Sequence, residues 1–206
     1  FKIDFPLFAS KCLKVRDHNT QQIVPFNLNR GQGILHAIVE KQHTLKGFVR
    51  LLLLKARRFG GSTYIEGRMY WRTSLRKNQN AFITGHEEES TRTLYQMAQL
   101  FQELNPLPPS IRKSNAQELV FDRDDGKGLK SAYRLATAKN LSAGRSQGIH
   151  DLHDSEEAYW TNAGILLPSL LSCLPPPPAD TEVFRESTAN GFGNVFQADV
   201  FDAYCN

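Results

Sequence analysis

Apolar and polar positions follow different rhythms along the chain, and each rhythm predicts an element. Leu13 and Val15, then Ile23 and Val24, flank a polar stretch over residues 17–22 and predict a short hairpin. Ile34, Leu35, Ile38 and Val39 recur at helical spacing, so residues 32–42 are expected as a helix with one buried stripe, capped by Asn29 or Asn27. The leucines at 51–54 are continuous rather than periodic. That pattern suits a central strand buried on both faces, as in a parallel sheet covered by helices. A basic turn with Gly60 and Gly61 follows, and residues 64–76 return to a helix-compatible pattern.

Further along, residues 81–84 form a short apolar strand ending at Gly85. Glu87, Glu88 and Glu89 then precede Leu94, Met97, Ala98, Phe101 and Leu104, a long helix with acids in its favourable first turn. Pro106, Pro108 and Pro109 end it. Residues 119–121 and 132–136 pair across the acidic turn 122–128, residues 149–153 are a strand and 156–171 a helix. After the rigid prolines at 175–178, residues 183–186 read as a strand and 195–204 as a last helix. Strands alternating with helices imply a mainly parallel α/β sheet flanked by helices, with a small N-terminal hairpin/helix in front of it.

Composition narrows the class. At 206 residues, 40% hydrophobic and 22% charged, the chain reads as one globular domain with a sizeable core. A net charge of +4 permits a polyanionic partner without requiring one. Cys12, Cys173 and Cys205 are widely spaced and form no CxxC pair, so a disulfide framework is not expected and reduced thiols in a cytosolic setting are. No apolar run approaches the roughly 20 residues of a membrane span. The abrupt start at Phe1 and stop at Asn206 read as an excerpt of something longer.

Two stretches carry chemistry. In the first, an apolar strand leads through Lys55, Arg57 and Arg58 to Gly60, Gly61, Ser62 and Thr63 and then to a helix. Two glycines let backbone N–H groups close around an anion at the helix N-terminus, where the helix dipole also favours negative charge. Ser62 or Thr63 could place a hydroxyl on Mg²⁺. The usual phosphate loop carries lysine immediately before that hydroxyl, and here Gly61 stands in the slot. Positive charge sits instead ahead of the turn, on Lys55, Arg57 and Arg58. The plain alternative is a buried strand followed by a solvated basic turn. In the second stretch, Asp151, Asp154, Glu156 and Glu157 crowd the end of a predicted strand. Nucleotide hydrolases of the phosphate-loop type deliver a metal-directed and a water-orienting carboxylate there. The alternative is an acidic helix cap led by Ser155.

Taken in order, Lys-Ala-Arg-Arg-Phe-Gly-Gly-Ser-Thr at 55–63, Leu-His-Asp-Ser-Glu-Glu-Ala-Tyr-Trp at 152–160 and Glu-Ser-Thr-Ala-Asn-Gly-Phe-Gly-Asn at 186–194 resemble the ATPase domain of the large terminase subunit of tailed double-stranded DNA bacteriophages. The resemblance runs from about residue 27 to about residue 201. It implies an additional-strand, RecA-like P-loop NTPase fold, with ATP and Mg²⁺ as cofactors. It makes residues 55–63 the phosphate loop, with Lys55 substituting for the missing late lysine, Arg57 and Arg58 next in line, and Ser62 as the hydroxyl directed at Mg²⁺. Glu156 matches the catalytic glutamate. Ser155 stands where many members carry the magnesium-associated aspartate, which leaves Asp154 as the alternative metal ligand. Glu157 is expected as a solvated helix residue.

The resemblance further implies that Ser187, Thr188, Ala189, Asn190 and Gly191 form the coupling motif, and that Gln32 reads the adenine edge. Taken alone, Gln32 would be a surface residue on a helix. Arg145, in the loop Ala143-Gly144-Arg145-Ser146, resembles an arginine inserted into the neighbouring subunit's site, the alternative being a simple loop arginine. The expectation is thus one ATPase domain over residues 1–206, with a lead-in over 1–30 and a nucleotide-binding core over 31–206. The family's nuclease domain would lie C-terminal to it, so no DNA cutting is expected of this chain. The implied partners are double-stranded DNA gripped without regard to sequence, the portal protein, the small terminase subunit and further copies in a ring on the procapsid, all in the host cytoplasm and none in a membrane. A helicase-like nucleic-acid-dependent ATPase and a non-hydrolysing procapsid- or DNA-binding module are the rival classes.

Overall fold

The computed structural model describes residues 4–137 and 148–205. Asp4 accepts the Leu7 N–H at 2.9 Å and caps helix α1 (Phe5–Cys12), which leads into the antiparallel hairpin β1 (Lys14–Arg16) and β2 (Ile23–Pro25). Helix α2 (Arg30–Lys46) follows, then strand β3 (Val49–Leu54), helix α3 (Gly61–Leu75), strand β4 (Asn80–Gly85) and helix α4 (Glu88–Leu104). Strands β5 (Lys113–Ser114), β6 (Glu118–Phe121), β7 (Ser131–Thr137) and β8 (Asp151–Ser155) come next. A 3-10 turn (Glu157–Tyr159), helix α5 (Ala163–Leu171), strand β9 (Glu182–Ser187) and helix α6 (Val195–Cys205) complete the described chain.

Among the described residues, seven strands form the main sheet in the order β3-β9-β8-β4-β7-β6-β5. The first five are mutually parallel, and β6 and β5 extend the sheet antiparallel. The strand that follows all the others in sequence, β9, is inserted between β3 and β8. In-register pairing brings Leu53, Glu186 and Ser155 level with one another at the C-terminal ends of β3, β9 and β8. Side chains of paired parallel residues share a face, so these three project to one side of the sheet.

That side is covered by α3, the most enclosed helix. The sheet packs on one flank of it while α1 and α4 pack on the others, which is why Tyr64, Ile65, Met69 and Tyr70 are all fully buried. Phe5 of α1 sits 5.4 Å from Tyr64 in an edge-to-face pair, centroid to centroid, and Phe26 stacks on Phe101. Each such buried aromatic contributes about 1.5–3 kcal/mol by removal from water. A second cluster on the other face joins Phe82, Leu152 and Val183 to Trp160, Leu166 and Leu170.

Three expectations are corrected. The leucine run is an edge strand rather than a central one: α2 and α6 pack against it, but Leu54 remains 54% exposed. The strand expected over residues 149–153 lies two residues later, at Asp151–Ser155, so the acids fall within it. Buried partners offset the polarity that hydropathy counted against a strand. The helix expected over 156–171 is broken, because Glu156 adopts φ 52°, ψ 45° and ends the strand in a left-handed turn. Only a 3-10 turn intervenes before α5 starts at Ala163.

Two arginines pin α3 to the sheet. Arg68 makes a bidentate contact with Glu182 of β9, at 2.7 and 2.8 Å, and reaches Glu40 of α2 at 2.6 Å. Arg72 bonds Asp151 of β8 at 2.7 Å, Glu182 at 2.9 Å and Asp180 at 2.9 Å. Glu182 and Asp151 are completely buried, and Arg68 and Arg72 are 1% exposed. Removing the shared carboxylate while leaving both guanidinium groups in place costs far more than the pair contributes. The variant Glu182→Ala should therefore lose about 3 kcal/mol of stability, the lower end for a broken buried pair because Glu40 and Asp151 remain. Urea denaturation followed by far-UV circular dichroism measures it.

Candidate active site

The loop between β3 and α3 is built by its glycines. Gly60 takes φ 83°, a left-handed conformation costly for any other residue at this turn, and α3 begins at Gly61 without a side-chain cap. The N–H groups of its first turn are thus offered to an external acceptor at the positive end of the helix dipole. A side chain at Gly61 would meet Leu53 at 3.0 Å, Phe59 at 3.2 Å and the Lys55 stem at 3.3 Å. The aliphatic stem of Lys55 thus lies against the slot from which a late lysine would project, and a side chain there would require Leu53, Phe59 and Lys55 to shift slightly.

Gln32 holds this loop from behind. It forms a reciprocal capping box with Asn29, the two bonds being 2.8 and 2.9 Å, and its Nε2 donates to the Gly60 carbonyl at 2.8 Å. Asn29 Nδ2 donates to the Phe59 carbonyl at 3.3 Å. Gln32 is only 4% exposed and is engaged through both ends of its amide. It is neither a surface residue nor a free amide; it ties the start of α2 to the turn.

Lys55 leaves the end of β3 and extends between two carboxylates. Its Nζ donates to Glu156 Oε1 at 3.1 Å and lies 3.4 Å from Glu186 Oε2. Arg57 and Arg58 of the same loop are exposed and have no hydrogen bond or ion pair among the described residues.

Glu156 faces the loop from the left-handed turn after β8. Its Oε2 accepts the Thr188 N–H at 3.1 Å, the Thr188 hydroxyl at 2.9 Å and the Ser187 hydroxyl at 3.4 Å. Partial burial would raise its pKa, but the Thr188 bonds and the Lys55 charge outweigh that and hold the carboxyl below its ordinary value. Residues 187–190 wrap this same turn. Ser187 Oγ accepts the Ala158 N–H at 3.2 Å, and Asn190 Nδ2 donates to the Ala158 carbonyl at 2.9 Å. Tyr159 reaches the Ala189 carbonyl at 3.4 Å, and Gly191 closes the segment at φ 65°.

The side chain that sequence reasoning did not single out is Glu186. It is completely buried on β9, where its Oε1 accepts the Ser62 hydroxyl at 2.7 Å and the Ser155 hydroxyl at 3.2 Å. His153 Nε2 lies 3.2 Å from the same oxygen, and His153 Nδ1 is 2.5 Å from Glu66, which in turn bonds the Tyr133 hydroxyl. Burial alone would lower the imidazole pKa, but Glu186 and Glu66 on its two sides push it up to about 10. Glu186 is in turn held below the usual carboxylate range, its burial being outweighed by His153 and Lys55. The signal was its position two residues beyond Phe184 on a strand whose neighbour carries Ser155, legible only once the pairing is known.

Other expected residues separate from this group. Asp154 projects to the opposite face of the sheet from Ser155, paired in register with Arg185. It is completely buried, neither oxygen has a hydrogen-bond partner, and burial together with the nearby Glu157 raises its pKa well above the ordinary value. It therefore cannot share a cation with Ser62, which corrects that expectation. Thr63 lines a cleft with Lys14, Val15, Arg16 and Met97 on the hairpin side, so Ser62 is the hydroxyl that joins the carboxylates. Glu157 is not solvated: it is 1% exposed and bonded by Arg185 at 2.6 and 2.5 Å. Arg145 lies outside the described residues.

A mainly parallel sheet with an additional strand, β9, between the strand that precedes the glycine turn and the strand bearing the acidic turn has the RecA-like, additional-strand arrangement. No protein-family model matches the sequence, and no curated protein matches it. Among solved structures, the large terminase of bacteriophage HK97 aligns with 98% of this chain and 40% of its own, at TM-score 0.74 and 14% identity. The large terminase ATPase domain of Thermus phage P74-26 aligns with 82% of this chain and 67% of its own, at TM-score 0.60 and 12% identity. The large terminase of a thermophilic bacteriophage in complex with ADP aligns with 78% of this chain and 39% of its own, at TM-score 0.53 and 13% identity. The chain thus spans two fifths of the HK97 protein's length, and likeness at these identities is likeness of fold.

The two adjacent glutamates should separate in a stability measurement. Glu157→Ala leaves the Arg185 guanidinium with Asp199 alone and should cost about 3 kcal/mol. Glu156→Ala removes a half-exposed carboxylate and should cost clearly less. Thermal melts of both variants check this, with equal losses counting against the assignment.

Proposed function

We propose that this chain is an ATP-hydrolysing motor domain of the DNA-packaging terminase kind, which drives double-stranded DNA into a procapsid. The observation that carries the reading is Glu156 held by Thr188 and facing Lys55 across the glycine turn. The first-turn N–H groups of α3 receive the phosphates, and Lys55 moves from the carboxylates to the outer phosphate oxygens. Glu156 then orients the attacking water and accepts its proton as the base. Ser62 would hold Mg²⁺ there, and the ion would supply positive charge against that developing on the phosphoryl oxygens.

Hydrolysis is transmitted through the bonds that join Glu156 to residues 187–191. Ser187 and Thr188 touch the carboxylate itself, while Asn190 grips the carbonyl of Ala158 in the same turn. A change in the charge that Glu156 meets is thereby felt along the segment leading into α6. In this reading Gln32 stabilises the loop and serves the adenine only by positioning it. Arg145 acts in trans, completing the site of the next subunit in a ring seated on the portal protein, with the small terminase subunit as the further partner. Contact with DNA runs through phosphate-directed cations rather than base edges, since a packaging motor passes any sequence. Such a motor works in the host cytoplasm. Among the described residues no helix is long and apolar enough to cross a membrane.

Glu156→Gln keeps the shape and the Thr188 bonds but loses the base. ATP binding should persist while phosphate release falls by about 10²- to 10⁴-fold. A phosphate-release assay at high protein concentration, with and without DNA, is the test, and undiminished turnover in this variant would refute the reading.

A further inference from the structure

The metal-directed carboxylate of a phosphate-loop site ordinarily comes from the strand that also delivers the catalytic acid, and it shares the cation with the loop hydroxyl. On β8 that slot is Ser155, and the other acid of the strand end, Asp154, projects to the far face. One strand over, Glu186 stands level with Ser155 on the same face and makes the contacts such a carboxylate needs. It accepts the Ser62 hydroxyl at 2.7 Å and sits 3.4 Å from the Lys55 ammonium.

We infer that Glu186, on the inserted strand β9, is the carboxylate that holds Mg²⁺ beside Ser62, in place of the acid missing at Ser155. The inference rests on the ATPase reading above. Its independent support is the state of the two carboxylate oxygens. Oε1 is occupied by the Ser62 and Ser155 hydroxyls, with His153 at 3.2 Å. Oε2 is buried, makes no hydrogen bond among the described residues, and lies 3.4 Å from the Lys55 ammonium. A buried carboxylate oxygen left without a donor is costly unless a cation satisfies it, and Lys55 is the group that phosphate binding draws away. His153, clamped from behind by Glu66, positions Glu186 so that Oε2 remains the free oxygen. The fit is that of a hard cation, which takes one or two carboxylates together with substrate phosphates.

Fluorescent-ATP titration in EDTA and in saturating Mg²⁺ tests it without reference to turnover. The unmodified protein should bind more tightly with Mg²⁺. In Glu186→Gln that tightening should shrink by about 10- to 100-fold while affinity in EDTA is retained, and Ser155→Asp added to Glu186→Gln should restore it. Ser155→Ala, a mild change that leaves Glu186 in place, should keep the larger part of the tightening even if Glu186→Gln does not fold. Full Mg²⁺ dependence in Glu186→Gln, or its loss in Ser155→Ala, would overturn the inference alone. Absence of nucleotide binding by the unmodified protein in both buffers would overturn the ATPase reading and this inference with it.

Discussion

The Lys55 ammonium, suspended between Glu156 and Glu186, is the interaction on which the site depends. It exists because three parallel strands end level with one another: β3 delivers the lysine, β9 one glutamate and β8 the other. Burial pushes both carboxyls towards protonation. The lysine, with His153 behind Glu186 and Thr188 beside Glu156, keeps both ionised. The Lys55 stem also lies 3.3 Å from where a side chain at Gly61 would begin, with Leu53 and Phe59 nearer still.

Buried charge is a theme of the whole face of the sheet that meets α3. At one end of that helix lies the glycine turn. Further along, Arg68 and Arg72 are matched to Glu182, Asp151 and Asp180. Buried ion pairs of this kind rarely add much net stability against apolar packing of equal volume, but they tolerate few alternative arrangements. Here they fix the position and rotation of α3 relative to β8 and β9, and with it the distance between the loop at its N-terminus and the acids at the strand ends. The opposite face, with Phe82, Leu152, Val183 and Leu170, is packed in the ordinary apolar way.

Most of the elements were legible in the sequence because period and punctuation mark them: the helix around Ile34 to Val39, although of its expected buried stripe only Leu35 and Val39 are buried while Ile34 and Ile38 are exposed, the acidic first turn before α4, the hairpin around residues 17–22. What was not legible is what depends on pairing. Four leucines in a row cannot say whether a strand is central or at an edge, and β3 is at the edge because β9 returns to only one side of it. Asp151, His153 and Asp154 read as the polar end of a strand, whereas partners more than sixty residues away let Asp151 and His153 be buried inside it. Glu157 looked solvated because Arg185 is remote in sequence. The candidate site itself was half visible: Lys55, Ser62, Glu156 and residues 187–190 converge as expected, while Glu186 emerged only from the register that sets it beside Ser155. Gln32, expected to read the adenine edge, has its amide bonded to the Gly60 carbonyl, a contact that could not be read from the sequence.

The central claim is that the early lysine serves the phosphates in place of the late one, and nucleotide titration across Lys55→Ala, Arg57→Ala and Arg58→Ala tests it most directly. Loss of one charge-assisted contact to phosphate predicts that Lys55→Ala weakens ATP binding by about 1.5 to 3 kcal/mol, roughly 10- to 150-fold, with the two arginine variants changed far less. Unchanged affinity in Lys55→Ala, accompanied by collapse in Arg57→Ala or Arg58→Ala, would contradict the account.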